Sequence, residues 1–366
     1  MEVRWEVNGL WITIAAMTLT LVLFWHKISF PFEQCKNTKM YTIIIPARNE
    51  AENLNRLLPS LLSSPSPNRE VIVVDDDSED GTKRVAESYG VKVVQNPPLP
   101  KDWMGKSWAC YNGAKVANGQ TLMFLDADTW FVEDGAERLM QVFEQKGSAA
   151  VMTIHPYHEM RSFREKLSAV FHLVVIASSG ITAVFKSEKG GFGPCLIIDQ
   201  KTYWELDGHR SIRSDIVEHL AFVRRAAVKG FPTYAYSGRE VLKMRMYEAN
   251  VKNVIKGWGK SFATGATTAS PWFSLANIFW ITAVVSFLIN LPDLGWWGLI
   301  GYLFLVVWLY RILIDIGCFR WYDAVIFPVH FVFFVGVFSY SLVTSFFLKQ
   351  TTWKGRTIAN KKRRSS

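Results

Sequence analysis

Apolar residues gather in four long runs at the two ends of the chain, residues 9–25, 274–291, 296–316 and 324–348, and in short runs through the middle. As a helix rising 1.5 Å per residue, each long run is about the thickness of a hydrocarbon core of roughly 30 Å. Four membrane-crossing helices are therefore expected, one before and three after a central domain. From about residue 40 to 270, short apolar runs alternate with charged stretches of helical period, which predicts strand-helix-strand units around a mostly parallel sheet. Strands are expected at 41–46, 70–75, 91–95 and 121–126. In open α/β sheets ligands bind beyond the carboxyl ends of the strands, so polar residues at those ends should converge on one crevice.

The run at 167–185 is apolar enough to imitate a further span, broken only by His172, Ser178, Ser179, Gly180 and Thr182. A crossing there would put the acidic residues near 126 and the later Gly190-Gly191-Phe192-Gly193 and Glu218 on opposite faces. An interfacial or buried amphipathic helix near 160–186, introduced by Arg161, Arg164 and Lys166, is expected instead, with a second near 248–266. The organisation is then an anchor at 1–30, a catalytic domain at 38–270, membrane segments at 271–350 and a basic tail at 351–366.

Composition fits this division. Of 366 residues 49% are hydrophobic, and a mean hydropathy of +0.10 is high for an ordinary cytosolic enzyme. No small-x-small cleavage site follows the first run, where Trp25-His26-Lys27 stands, so it reads as a retained anchor. Lys27, Lys36 and Lys39 follow that run, whereas Glu2 and Glu6 offset Arg4 before it. The positive-inside rule thus predicts a multi-pass cell-membrane protein with a cytoplasmic middle domain. Three later spans would carry the basic tail outside, against the same rule, unless one segment is re-entrant or broken at Pro292 or Pro328. The net charge of +9 owes much to seven basic residues after Leu348, including Lys361-Lys362-Arg363-Arg364. Such a tail beside a membrane segment meets anionic headgroups or solvent, and no nucleic-acid partner is expected. Cys35, Cys110, Cys195 and Cys318 are scattered without C-x-x-C spacing, so neither a disulfide framework nor a zinc site is expected.

The strand ends carry the residues that a nucleotide-sugar donor requires: acceptors for base and ribose, and positive charge for the diphosphate. Pro46-Ala47-Arg48-Asn49-Glu50 follows the first strand, and Asp75-Asp76-Asp77-Ser78 follows the second. Asn49, Asp77 and Ser78 equally suit caps and turns. Asp126-Ala127-Asp128 follows the fourth strand and sets two hard carboxylates one residue apart, suited to Mg²⁺ or Mn²⁺. Gly105-Lys106-Ser107 imitates a P-loop, but Pro100 stands where that motif needs glycine. Lys106 is better placed as a contact to the donor diphosphate. His155 and His158 are separated by Pro156 and have no evident third ligand, so a core or surface role is expected for both. The Gly190 to Gly193 turn would let backbone approach an acceptor, although an ordinary loop would look the same.

Residues 43–50, 74–82 and 126–128 together resemble the motif order of inverting family-2-type glycosyltransferases of the GT-A fold, an α/β fold with a Rossmann-like sheet. Trp103-x-Gly105-Lys106-Ser107, Asp126-Ala127-Asp128-Thr129-Trp130, Phe192-Gly193-Pro194-Cys195-Leu196, Arg245-Met246-Tyr247, Gly257-Trp258 with Ala263-Thr264-Gly265-Ala266, and Trp353-Lys354-Gly355-Arg356 are similar to bacterial glucosyltransferases that esterify the carotenoid 4,4'-diaponeurosporenoate. The resemblance implies UDP-glucose as donor, bound by Pro46, Arg48, Glu50, Asp75, Asp76, Lys106, Asp126 and Ala127. It also implies a divalent metal on Asp126 and Asp128, and a C30 carotenoid acid as acceptor near Gly191, Phe192, Gly193 and Trp258. Other carotenoid-pathway enzymes become candidate partners.

The chain departs from the family where relatives carry a Glu-Asp pair as general base. It has Glu218-His219 there, with Asp215 nearby, and these three are the candidate catalytic residues. A carboxylic acid of pKa about 4 to 5 is already ionised at neutral pH and needs no strong base. His219 would then orient the acceptor or offset its charge. The Q-x-x-R-W motif of processive synthases is absent, which disfavours a polysaccharide synthase. The rival readings are a different lipid acceptor (a polyprenyl phosphate, a hopanoid or a diacylglycerol) or a membrane transporter or scaffold with a nucleotide-sensing domain.

Overall fold

The computed structural model describes residues 2–31, 39–187, 189–215, 217–246, 251–252, 254–255, 257–258, 270–347, 350–353 and 356–359. It opens on a long helix, α1 (Glu2–Leu23). The chain then alternates β1 (Tyr41–Ala47), α2 (Ala51–Leu62), β2 (Arg69–Asp75), α3 (Thr82–Ser88), β3 (Lys92–Gln95), α4 (Gly105–Lys115) and β4 (Thr121–Leu125). These are the four expected strands, with ends shifted by one residue. β5 (Thr129–Phe131), α5 (Gly135–Lys146), β6 (Val151–His155), β7 (Tyr157–His158), α6 (Phe163–Lys166), α7 (Ala169–Ser179), β8 (Cys195–Asp199), α8 (Gln200–Glu205), a 3-10 turn at Gly208–Ile212, α9 (Glu218–Val228), β9 (Thr233–Ser237) and β10 (Leu242–Met244) complete the central domain.

The main sheet has the order β3-β2-β1-β4-β8-β6-β9, and β5-β10-β7 form a small second sheet. In the main sheet β8 runs antiparallel to both β4 and β6, and the other pairings are parallel. Strand alternation divides the core. Ile43 and Ile45 face Leu54, Leu58 and Met140 on one side of the sheet, while Ile44, Ile72 and Phe124 face Ala109, Tyr203 and Phe222 on the other. A strand buried on both faces reads as the continuous apolar runs seen in β1 and β4.

A third core is helical. α10 (Pro271–Asn290), α11 (Gly295–Ile316), α12 (Trp321–Val325) and α13 (Phe327–Phe347) follow the central domain, and α1 packs against α10 and α11. Among the described residues two helical stretches, Pro271–Asp293 and Gly295–Ile316, are long and apolar enough to cross a membrane, whereas Gly9–Leu23 and Phe327–Val343 are shorter apolar stretches. Four such runs were expected from sequence. The helices that hold the two shorter stretches, α1 and α13, themselves run 22 and 21 residues, and α13 starts just after α12 with Pro328 in its first turn, where a missing N–H costs nothing. Pro292 likewise lies in a 3-10 turn between α10 and α11.

Within the 167–185 run, α7 is 11 residues long, shorter than a span, and lies buried against α10, α11 and α13. Lys166 on α6 and Asp323 on α12 form a buried ion pair at 2.6 Å, and Arg239 pairs with Asp315 of α11 at 3.1 Å, so charged side chains join the α/β domain to the helices. Most of the expected interfacial stretch at 248–266, with Tyr247, the Ala263 to Ala266 motif, Cys35 and most of the basic tail, lies outside the described residues. β11 (Gln350–Trp353) and β12 (Arg356–Ala359) form a hairpin in that tail.

Candidate active site

The turns after β1 and β2 are built as a unit. Asn49 and Asp77 both adopt positive φ, which Asn and Asp tolerate better than other non-glycine residues. The Asn49 N–H donates to Ser78 Oγ at 3.0 Å, and Asn49 Oδ1 accepts from the Glu79 N–H at 2.9 Å. Asp80 accepts from the Ala51 and Thr82 N–H groups at the starts of α2 and α3. Asn49, Asp77 and Ser78 thus serve the turns, and Arg48 braces them by donating to the carbonyls of Asp76 and Asp77. The backbone so fixed presents Glu50 and Asp76 at the sheet edge.

One cleft, about 200 Å³ in volume, gathers the strand ends. Pro46, Ala47, Arg48 and Glu50 line it from β1, Asp76 from β2, and Asp126, Ala127 and Asp128 from β4. Gly105, Lys106 and Ala109 close it from the start of α4. Asp75 is the exception among the expected donor residues: it is buried beneath the edge, and its carbonyl accepts from the Asn96 N–H. The sequence reading missed Asn96 and Asn112. Asn112 Nδ2 donates to Asn96 Oδ1 at 2.9 Å, and Asn96 Nδ2 donates to Asp76 Oδ1 at 2.8 Å, a buried relay that aims the carboxylate. The available signal was the place of Asn96, one residue past the end of β3.

Lys106 is the electrostatic centre. Its Nζ lies 2.5 Å from both Asp126 Oδ1 and Glu218 Oε1. Burial works against the charge on Lys106, but the carboxylates of Asp126 and Glu218 outweigh it and hold the ammonium above its usual range. Burial also pushes the Asp126 carboxyl up to about 6, opposed by Lys106 and reinforced by Glu218 and Glu50. The turn that carries Asp126 is pinned where its N–H donates to the Pro194 carbonyl and its own carbonyl accepts from Thr129 Oγ1. The carboxylates of Asp126 and Asp128 are the hard oxygen donors that Mg²⁺ or Mn²⁺ takes, and both line the cleft, so the donor set fits such an ion.

The candidate catalytic residues separate. Glu218, the first residue of α9, reaches the cleft through Lys106. His219 is fully buried behind it and hydrogen-bonds the Gly193 carbonyl, so its ring is not exposed in the cleft. Burial, and then the charge of Lys106, keep it neutral. Asp215 is half-buried in the turn before α9 and does not line the cleft.

The expected acceptor residues lie where the sheet meets the helical core. Gly191 leaves no room for a side chain, since a Cβ there would lie 2.9 Å from Val223 Cγ2. Phe192 packs on His155 with ring centres 4.7 Å apart, and a Cβ on Gly193 would meet open space. Trp258 is buried, stacked on Phe171, with its Nε1 donating to Ser168 Oγ. His155 and His158 acquire the third partner that spacing had not supplied: His172 of α7 lies 4.1 Å from His158 between ring centres, and all three are buried. Leu125 and Ile154 both pair with Cys195, so Asp126 and His155 leave the same sheet edge two strands, roughly 10 Å, apart.

Known proteins place the chain in a family. Residues 42–207 match the model of glycosyl transferase family 2. The chain is 32% identical over 260 residues to a 4,4'-diaponeurosporenoate glycosyltransferase of Staphylococcus aureus, covering 70% of this chain and 69% of that protein. It is 34% identical over 257 residues to the protein of that name from Staphylococcus haemolyticus, covering 69% and 68%. The fold is shared with a mannosyltransferase from Pyrobaculum calidifontis, solved with GDP-Man and Mn²⁺, at a TM-score of 0.53 and 14% identity over 93% of this chain and 98% of that one. A cleft of acidic strand ends with a lysine at its centre, in a chain so extensively similar to these enzymes, makes this protein a family 2 glycosyltransferase of the GT-A fold.

Proposed function

We propose that the enzyme transfers glucose from UDP-glucose to the carboxylate of a long apolar acid of the carotenoid type, giving a glycosyl ester in one inverting displacement at the cytoplasmic membrane surface. The observation that carries this reading is the convergence of Glu50, Asp76, Lys106, Asp126 and Asp128 on one cleft, in a chain similar to named diaponeurosporenoate glycosyltransferases.

Glu50 and Asp76 are acceptors for the hydroxyl and N–H groups of the nucleoside, with Asp76 held by Asn96. Lys106 is a cation poised to turn from Asp126 and Glu218 toward the donor diphosphate. Asp126 and Asp128 would hold a divalent ion, which when bound neutralises charge on the departing diphosphate. Glu218, already paired with Lys106, and buried His219 suit an acceptor that arrives ionised and needs no deprotonation.

Outward-facing apolar side chains support a membrane setting. Trp272, Ile278 and Phe279 on α10 and Trp296, Leu303 and Val307 on α11 are all exposed, on helices long enough to span. An acceptor kept in that layer avoids a hydration cost of about 25 cal/mol per Å² of its surface.

Acceptor-dependent UDP release by the purified protein in detergent with Mn²⁺ tests this. Release is expected with a carotenoid acid extract and not with polyprenyl phosphate, a hopanoid or diacylglycerol. Release with one of those lipids alone would overturn the acceptor assignment.

A further inference from the structure

Directly behind the cleft, three residues far apart in sequence meet: Cys110 on α4, His209 in the 3-10 turn and His219 on α9. Their potential ligand atoms lie within 4.8 Å of one another, and all three residues are 0% exposed. Scattered cysteines had given no sign of this, because the site uses one thiol and two imidazoles from three elements.

Both imidazoles are held by the nitrogen that a metal would not use. His219 Nδ1 hydrogen-bonds the Gly193 carbonyl, which can only accept, so Nδ1 carries the proton and Nε2 bears a bare lone pair. His209 Nδ1 lies 2.9 Å from Tyr203 Oη. Both Nε2 atoms are buried and lack a hydrogen-bond partner, which leaves two polar atoms uncompensated in the core. The carbonyl fixes ring and tautomer at His219, and the Tyr203 hydroxyl, which also accepts from the His209 N–H at 3.1 Å, fixes the ring at His209; such outer partners are the usual support of a metal-bound histidine. The spacing agrees: two imidazoles on one tetrahedral ion, with metal–nitrogen bonds of roughly 2.0 Å, put ring centres about 5 Å apart, and these lie 5.4 Å apart at 67°.

We propose that Cys110, His209 and His219 bind one zinc ion, with water at the fourth position, as a structural centre behind the donor cleft. Thiolate and imidazole are zinc ligands, unlike the hard carboxylates of Asp126 and Asp128. The neighbouring ion cluster, one ammonium against two carboxylates, does not oppose an added cation. Its effect is positional. Cys110 lies one turn after Lys106 on α4, and His219 follows Glu218, so the ion would tie together the elements whose side chains meet in the cleft.

The full-length protein, purified in detergent and dialysed against EDTA, should retain one zinc per chain by mass spectrometry, because an ion so enclosed does not exchange while the cleft metal does. An Asp126→Asn/Asp128→Asn variant should retain it equally. Protein produced with cobalt in place of zinc should show a thiolate-to-cobalt charge-transfer band, lost in Cys110→Ser and weakened in His209→Asn. Folded wild-type protein without zinc and without that band would overturn the proposal, leaving a core cluster bridged by water or the thiol proton. Should Cys110→Ser fail to fold, the wild-type cobalt spectrum decides alone.

Discussion

Lys106 is the side chain on which most of the cleft depends, since it separates two carboxylates that would otherwise repel each other at short range. Lys106→Met is expected to lower kcat/KM by roughly 10²–10³-fold, the usual cost of losing a donor aimed at developing charge, while a thermal melt stays cooperative. Asn96 acts at one remove. Asn96→Ala removes one hydrogen bond from Asp76, and loss of a hydrogen bond to a charged group is worth about 1.5 kcal/mol, so KM for the nucleotide sugar should rise about tenfold with kcat little changed. Steady-state kinetics in the two substrates separates these effects. Glu50, Asp76, Lys106, Asp126 and Asp128 were legible in the sequence because each follows an apolar run or opens a helix. Asn96 and Asn112 were not, since an amide that holds another side chain leaves no local pattern. The burial of His219 was equally hidden, because its partner Gly193 lies 26 residues away.

Long apolar runs and the first four strands could be read directly, because burial on both faces makes β1 and β4 continuously hydrophobic. The antiparallel insertion of β8 between β4 and β6 could not be read, and β5, β7 and β10 are only two or three residues long. Elements that short carry no periodicity. The joints between the α/β domain and the helices were hidden too, since Lys166 and Asp323 are 157 residues apart. Removing one member of that pair strands a buried charge, so Asp323→Ala should destabilise the protein by about 3–5 kcal/mol, and Lys166→Met with Asp323→Leu should recover most of the loss. Thermal unfolding in detergent reads both. At the turn before β8, Gly190→Ala would place its Cβ 2.1 Å from the Ser179 carbonyl oxygen, so it should separate that turn from the end of α7 and lower the melting temperature.

For the whole molecule, the buried trio His155, His158 and His172 sets a pH dependence. Burial holds His155 down to about 4 and His172 to about 3, with the His155 imidazole adding to the effect on His172; His158 is likewise kept well below its ordinary range. Their unfolded pKa is about 6.5, so the unfolded chain takes up protons first as pH falls. The stability these groups contribute is complete above about pH 6.5 and is lost as pH falls from there toward 4. Melting temperature should therefore drop between pH 7 and 5, and His172→Asn should flatten the slope. The same molecule joins the acidic cleft to an apolar helical layer across a single sheet edge. The most direct test is the bond it makes. With UDP-glucose labelled with ¹³C at the anomeric carbon and a carotenoid acid as substrates, NMR of the isolated product should correlate that carbon's proton with the acid's carboxyl carbon, in the inverted β configuration. A label joined instead to a hydroxyl or phosphate oxygen, or retained in the α configuration, would contradict the account.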